Sequence, residues 1–119
     1  MTDARVLVIG LDPAKLEGWD PEPIQTGIAR GRARFVDHGI EADWCLVAPD
    51  ENPEGAIEEA LIRGAYACVV IGGGIRKDES MLDLFEKVVN LVRRHAPDAA
   101  IAFNSTPEDC LEAALRWLE

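Results

Sequence analysis

Positive charge is scarce in this 119-residue sequence: 12 Lys and Arg stand against 22 Asp and Glu, a formal net charge of -10. A field of that sign repels phosphate backbones and anionic headgroups, so nucleic acid and membrane surfaces are not expected partners. Cysteine is equally sparse. Cys45, Cys68 and Cys110 are odd in number, widely spaced and each set in an apolar stretch, the pattern of reduced buried thiols and not of a disulfide framework. No apolar run approaches the ~20 residues of a membrane span, and the run beginning at Val6 is too short for a secretion signal, so a cytoplasmic location is expected. The two histidines, His38 and His95, fall in the last turns of predicted helices, where an imidazolium suits the helix dipole better than it suits a metal or catalytic role.

What is present is an ordinary globular composition, 48% hydrophobic and 29% charged, in a length that suits one domain spanning residues 1–119. Four short apolar runs alternate with segments of helical period. Arg5 to Gly10, Trp44 to Ala48, Tyr66 to Gly72 and Ala99 to Phe103 are nearly continuously apolar, as parallel strands covered on both faces must be. Helices are predicted over Ile24 to His38, closed by Gly39, and over Pro53 to Arg63, capped by Asn52 and ended by Gly64. A third is predicted over Met81 to His95, with a capping box from Ser80 to Asp83, and a fourth from Thr106-Pro107-Glu108-Asp109 onward, with Leu111, Leu115 and Leu118 inward. Gly27 and Gly31 suggest that the first helix approaches the sheet closely. Four strand-helix units imply a three-layer αβα sandwich around a four-stranded parallel sheet of order 2-1-3-4, flavodoxin-like, with helices one and four on one face and two and three on the other.

In such a sheet, ligands bind beyond the carboxyl ends of the strands, where strand order reverses. Asp12 follows strand one, Gly72, Gly73, Gly74, Arg76 and Lys77 follow strand three, Asn104 and Ser105 follow strand four, and Thr26 lies near the opening of the first helix. Glycine backbone exposes N–H groups that can cradle an anion, and Arg76 adds charge; a sharp turn after a strand asks for the same glycines for conformational reasons alone. Asp12 before Pro13 reads either as an acid or base or as a turn starter, and Asn104 and Ser105 either as ligand contacts or as part of a helix cap. The dinucleotide and Walker patterns are both incomplete. A long irregular segment, Leu11 to Pro23, holds Trp19.

Two features point to self-association. Arg30, Arg32 and Arg34 reverse the local charge, and read either as a solvated face with scattered ion pairs or as a surface for an acidic partner or for Glu51, Glu54, Glu58 and Glu59 of a second copy. The edge strand Ala99 to Phe103 and the indoles Trp19, Trp44 and Trp117 are hard for a small monomer to cover. A homodimer is expected.

The blocks Val69-Val70-Ile71-Gly72-Gly73-Gly74-Ile75-Arg76, Leu84-Phe85-Glu86-Lys87-Val88-Val89-Asn90, His95-Ala96-Pro97, Ile101-Ala102-Phe103-Asn104-Ser105 and Ala113-Ala114-Leu115-Arg116-Trp117 resemble a group of small bacterial and fungal flavodoxin-like, Rossmann-like proteins of no assigned activity. The resemblance covers about the last half of the chain and implies the fold without a function, cofactor or catalytic residue. Receiver domains would need an acceptor Asp where Gly72 to Gly74 stand, flavodoxins a hydroxyl-rich loop of which only Thr26-Gly27 is reminiscent, and cobalamin domains a His after the first strand. The expected function is binding of a small anionic, phosphate-containing ligand at the strand ends. The alternatives are a non-catalytic, homodimeric interaction module and an enzyme using Asp12.

Overall fold

The four apolar runs become four strands, in a computed structural model that describes residues 5–15, 18 and 20–118. Strands β1 (Arg5–Leu11), β2 (Glu41–Val47), β3 (Cys68–Ile71) and β4 (Ala100–Phe103) pair in parallel in the order β2-β1-β3-β4. Around them lie α1 (Pro21–Asp37), α2 (Pro53–Arg63), α3 (Gly73–Arg76), α4 (Leu82–His95) and α5 (Cys110–Leu115). The expected topology and three-layer flavodoxin-like architecture are therefore present.

Alternation along the strands sorts the core into two layers. Leu7, Ile9, Val69 and Ile71 point to one face, where Ile57 and Leu61 of α2, Ile75 of α3 and Val88 and Val92 of α4 bury them. Val6, Val8, Val70 and Ala102 point to the other, against Phe35 of α1 and Cys110, Leu111, Ala113 and Ala114 of α5. Burying one such aliphatic side chain contributes about 1.5–3 kcal/mol, so these stripes, and not helix propensity, hold the layers together.

Several boundaries differ from expectation. Helix α1 begins ahead of Ile24, because the Asp20 carboxylate accepts the Glu22 N–H at 3.1 Å and Pro21 occupies the first helical position, where its missing N–H is harmless. The irregular Leu11 to Pro23 segment shrinks accordingly: Leu11 completes β1 and Pro13–Lys15 form one 3-10 turn. Trp19 lies outside the described residues. Strand β2 begins at Glu41 and includes Asp43, which accepts hydrogen bonds from Arg5 at 2.5 Å and the Tyr66 hydroxyl at 2.8 Å. The Ser80 to Asp83 capping box does not form; instead Asp78 accepts from the Ser80 N–H and hydroxyl, at 2.9 and 2.8 Å. Leu115, expected inward, is exposed, because α5 ends there and Ala113 and Ala114 take the sheet side.

The close approach promised by Gly27 and Gly31 is in part to the sheet, at Trp44 of β2, and mainly to the chain after β4. A Cβ on Gly31 would stand 2.4 Å from the Pro107 carbonyl oxygen and 3.1 Å from the Trp44 ring, and one on Gly27 3.3 Å from the Pro107 ring. The arginine face of α1 is likewise satisfied within the chain. Arg30 pairs with Glu108 at 3.3 Å, Arg34 with Glu112, and Arg32 lies 5.5 Å over the Trp44 ring. The acidic residues assigned to a second copy are also paired at home: Glu51 with Lys15, Glu54 with Lys87, Glu58 with His95 and Glu59 with Arg63.

Candidate functional site: a cavity over Gly10

Along β1, Val6, Val8 and position 10 face the α1/α5 layer, and position 10 is glycine. A Cβ there would meet only Leu46 Cδ2, at 3.6 Å, so the missing side chain leaves space at the strand end. That space is a cavity of about 350 Å³. Ile24 and Ile28 of α1 form its roof, Trp44 and Leu46 of β2 one wall, and Pro107 part of the other. Gly72 to Gly74 and Ser105 to Thr106 close the carboxyl end of the sheet, where Lys77 stands at the rim. The volume is in the range of small-molecule sites, and it lies where strand order reverses.

The residues proposed from the sequence divide in two. Gly72, Gly73, Gly74, Asn104 and Ser105 come together at the cavity. Asp12, Thr26 and Arg76 are not part of its lining. Asp12 starts a turn, its carboxylate accepting the Ala14 N–H at 3.0 Å while its own N–H bonds Val47 O at 2.9 Å. Thr26 is exposed on α1. Arg76 is a structural clamp: its guanidinium donates to Ile71 O at 3.0 Å, to the Asn104 carbonyl and to Asn104 Oδ1 at 3.1 Å, and lies 5.1 Å over the Phe103 ring. Burial pulls its pKa below the ordinary guanidinium value, partly offset by the nearby Asp109 carboxylate.

The amide cradle is also largely committed. Gly72 N–H bonds Ile9 O at 2.8 Å and Gly73 N–H bonds Asn104 Oδ1 at 3.0 Å, while the N–H groups of Ser105 and Thr106 donate to Asp109 at 2.9 and 3.1 Å. These glycines serve close packing. A Cβ on Gly72 would sit 3.2 Å from Ile9 O, and one on Gly74 3.2 Å from Leu11 Cδ1. The cation that remains is Lys77, whose ammonium donates to Ser105 O at 2.9 Å, meets no carboxylate among the described residues, and has two further donors.

The thiols are poor nucleophiles. Burial pushes Cys68 and Cys110 up to about 11 and raises Cys45 as well, so all three stay protonated near neutrality. Among the described residues no group of three His, Cys, Asp or Glu side chains is placed to hold a metal ion, and no helix is long and apolar enough to cross a membrane.

Ile24, Ile28, Trp44, Leu46 and Pro107 were the part of the cavity that sequence reasoning did not assemble, whereas Lys77 was already expected at the end of the third strand. The available signal was Gly10, a glycine closing an otherwise apolar strand. No family model matches this chain, and no curated protein matches it either.

Proposed function

We propose that this chain is a small-molecule binding domain whose ligand has an apolar, ring-sized body and a single anionic group. The observation that carries this reading is the cavity over Gly10, apolar on its α1 and β2 sides and ended by a lysine that meets no carboxylate among the described residues. The body would lie between Ile28 and Trp44, and the anionic group, a carboxylate or a phosphate monoester, would take the open Lys77 donors together with the Ser105 and Thr106 hydroxyls. With the neighbouring amides already bonded, a polyphosphate has little to hold it. Three free cysteines suit the reducing cytoplasm.

A direct probe is 8-anilinonaphthalene-1-sulfonate, aromatic rings carrying one anion. Saturable one-to-one binding is expected, lost in Gly10→Val and weakened about tenfold in Lys77→Met, a change of about 1.4 kcal/mol. Gly10→Val binding the dye as the parent does would remove the cavity from consideration. A native mass spectrum of freshly purified protein would then give the mass of any molecule carried along.

A second reading, a homodimeric interaction module, is favoured by Phe103 on the edge strand β4 and Trp117 just past α5, 42% and 58% exposed. Sedimentation equilibrium tests it: a species of twice 13.0 kDa is expected.

A further inference from the structure

Strand β4 is a sheet edge, and its unpaired backbone groups can be enumerated. Ala100 donates its N–H toward β3, to Ala67 O at 2.9 Å. Backbone direction alternates along a strand, so Ala100 and Ala102 face β3 while Ala99, Ile101 and Phe103 face outward. Six outward groups result, and two are satisfied at home: the Ala99 N–H donates to Ala96 O at 3.0 Å, and the Phe103 carbonyl accepts from Arg116 at 2.8 Å. Among the described residues the other four, the Ile101 N–H and C=O, the Phe103 N–H and the Ala99 C=O, meet no partner.

We propose that β4 pairs antiparallel with β4 of a second copy across a two-fold axis at Ile101, making one continuous eight-stranded sheet. This rests on the homodimer reading and adds its register. With Ile101 opposite the partner's Ile101, each donates its N–H to the other's carbonyl, and each Phe103 N–H reaches the carbonyl of the partner's Ala99. Those bonds use the four open groups of each chain. The two groups the register would leave unused are the ones already covered by Ala96 and Arg116.

Side chains fit the same register. Ala99, Ile101 and Phe103 lie on the α4 face, where Phe103 meets Phe85 edge-on with centroids 6.1 Å apart. The half-exposed Phe103 therefore lies across from the partner's Ala99, a large residue over a small one, at cross-strand distances of ~5 Å. Charge agrees as well. Arg116 sits at the Phe103 end of the strand and Asp98, exposed and without an ion pair among the described residues, just before its start. Antiparallel pairing brings each Arg116 to the partner's Asp98, twice. A closed two-fold pair also consumes this edge, so a four-residue strand need not invite open-ended pairing.

Sedimentation equilibrium and residue-resolved amide exchange on the full chain test the register. The Ile101 and Phe103 amides should slow as protein concentration rises through the dimer Kd, while Ala100 and Ala102 stay protected throughout. Arg116→Glu and Asp98→Arg should each raise the Kd tenfold or more, and the double variant should return it to within about threefold of the parent. A chain that stays monomeric at about 100 μM would overturn both the dimer reading and this register. A dimer indifferent to the charge reversals, with the Ile101 amide exchanging at one rate at all concentrations, would overturn the register alone and place the contact on another face.

Discussion

The side-chain oxygen of Asn104 accepts the Gly73 N–H at 3.0 Å and so ties the end of β4 to the turn after β3. Asn104 is buried; its Oδ1 also accepts from Arg76, and its Nδ2 donates to Cys110 Sγ at 3.2 Å. One side chain thus joins the end of β4 to α3 and α5, beside the cavity.

Asn104→Ala would leave the Gly73 N–H and part of the Arg76 guanidinium unpaired in a buried setting. A loss of about 2–3 kcal/mol is expected in urea unfolding, because an orphaned buried donor costs more than the lost bond contributed. Asn104→Asp keeps the acceptor for both donors and should recover part of that loss. Equal stability of the Ala variant and the parent would show that water replaces the amide.

Much of the architecture was legible in local pattern. The strands of the sheet centre read directly from apolar runs, and α2 runs from Pro53 to Arg63 as its cap and terminating glycine imply. What was misread depended on partners distant in sequence. Asp43 looks like a strand breaker until Arg5 and Tyr66 stand beside it. Arg76 looks like a ligand contact until the carbonyls of Ile71 and Asn104 claim it. The place of the cavity followed from strand order, but its apolar character did not, since Trp44 and Ile28 reach it only through packing. Pro21 and Pro23 concealed the start of α1, because proline breaks a helix interior yet is tolerated in a first turn.

Gly31 and Gly27 make a paired test of the α1 contact with Pro107. A methyl group at position 31 collides with backbone and an indole ring, so Gly31→Ala should lower stability by about 2–3 kcal/mol by overpacking. At position 27 the contact is only tight, and the gain in helix propensity of ~1 kcal/mol opposes it, so Gly27→Ala should be near neutral. Thermal unfolding of the two variants checks the difference; equal losses would mean that α1 yields as a whole.

Tyr66 supplies a pH dependence at the opposite end of the sheet. Burial, then the hydrogen bond to Asp43, pushes the phenol up to about 12, while Arg5 opposes the shift. The unfolded value is ~10, so folding favours the neutral phenol. Its stabilisation is complete below pH ~10 and disappears as pH rises through about 12. The stability difference between the parent and Tyr66→Phe should therefore shrink over that interval and be constant from pH 7 to 9. A difference that instead grows with pH would reverse the assignment.

Gly10→Val asks whether the cavity exists to be occupied. Valine suits a strand better than glycine, its Cβ has ordinary contact distance to Leu46, and its methyl groups enter space bounded by Ile28 and Trp44. A cavity that packing does not require is filled at a gain, about 1 kcal/mol for buried methyl groups. The same variant should lose the rise in melting temperature that an apolar anion produces in the parent, since a ligand at free concentration L stabilises only through its binding to the native state, by RT ln(1 + L/Kd). Higher intrinsic stability with no ligand-induced shift is the expected pair of results. Lower stability would mean that the gap is already closed by motion of α1, and an undiminished ligand shift would place binding elsewhere on the chain.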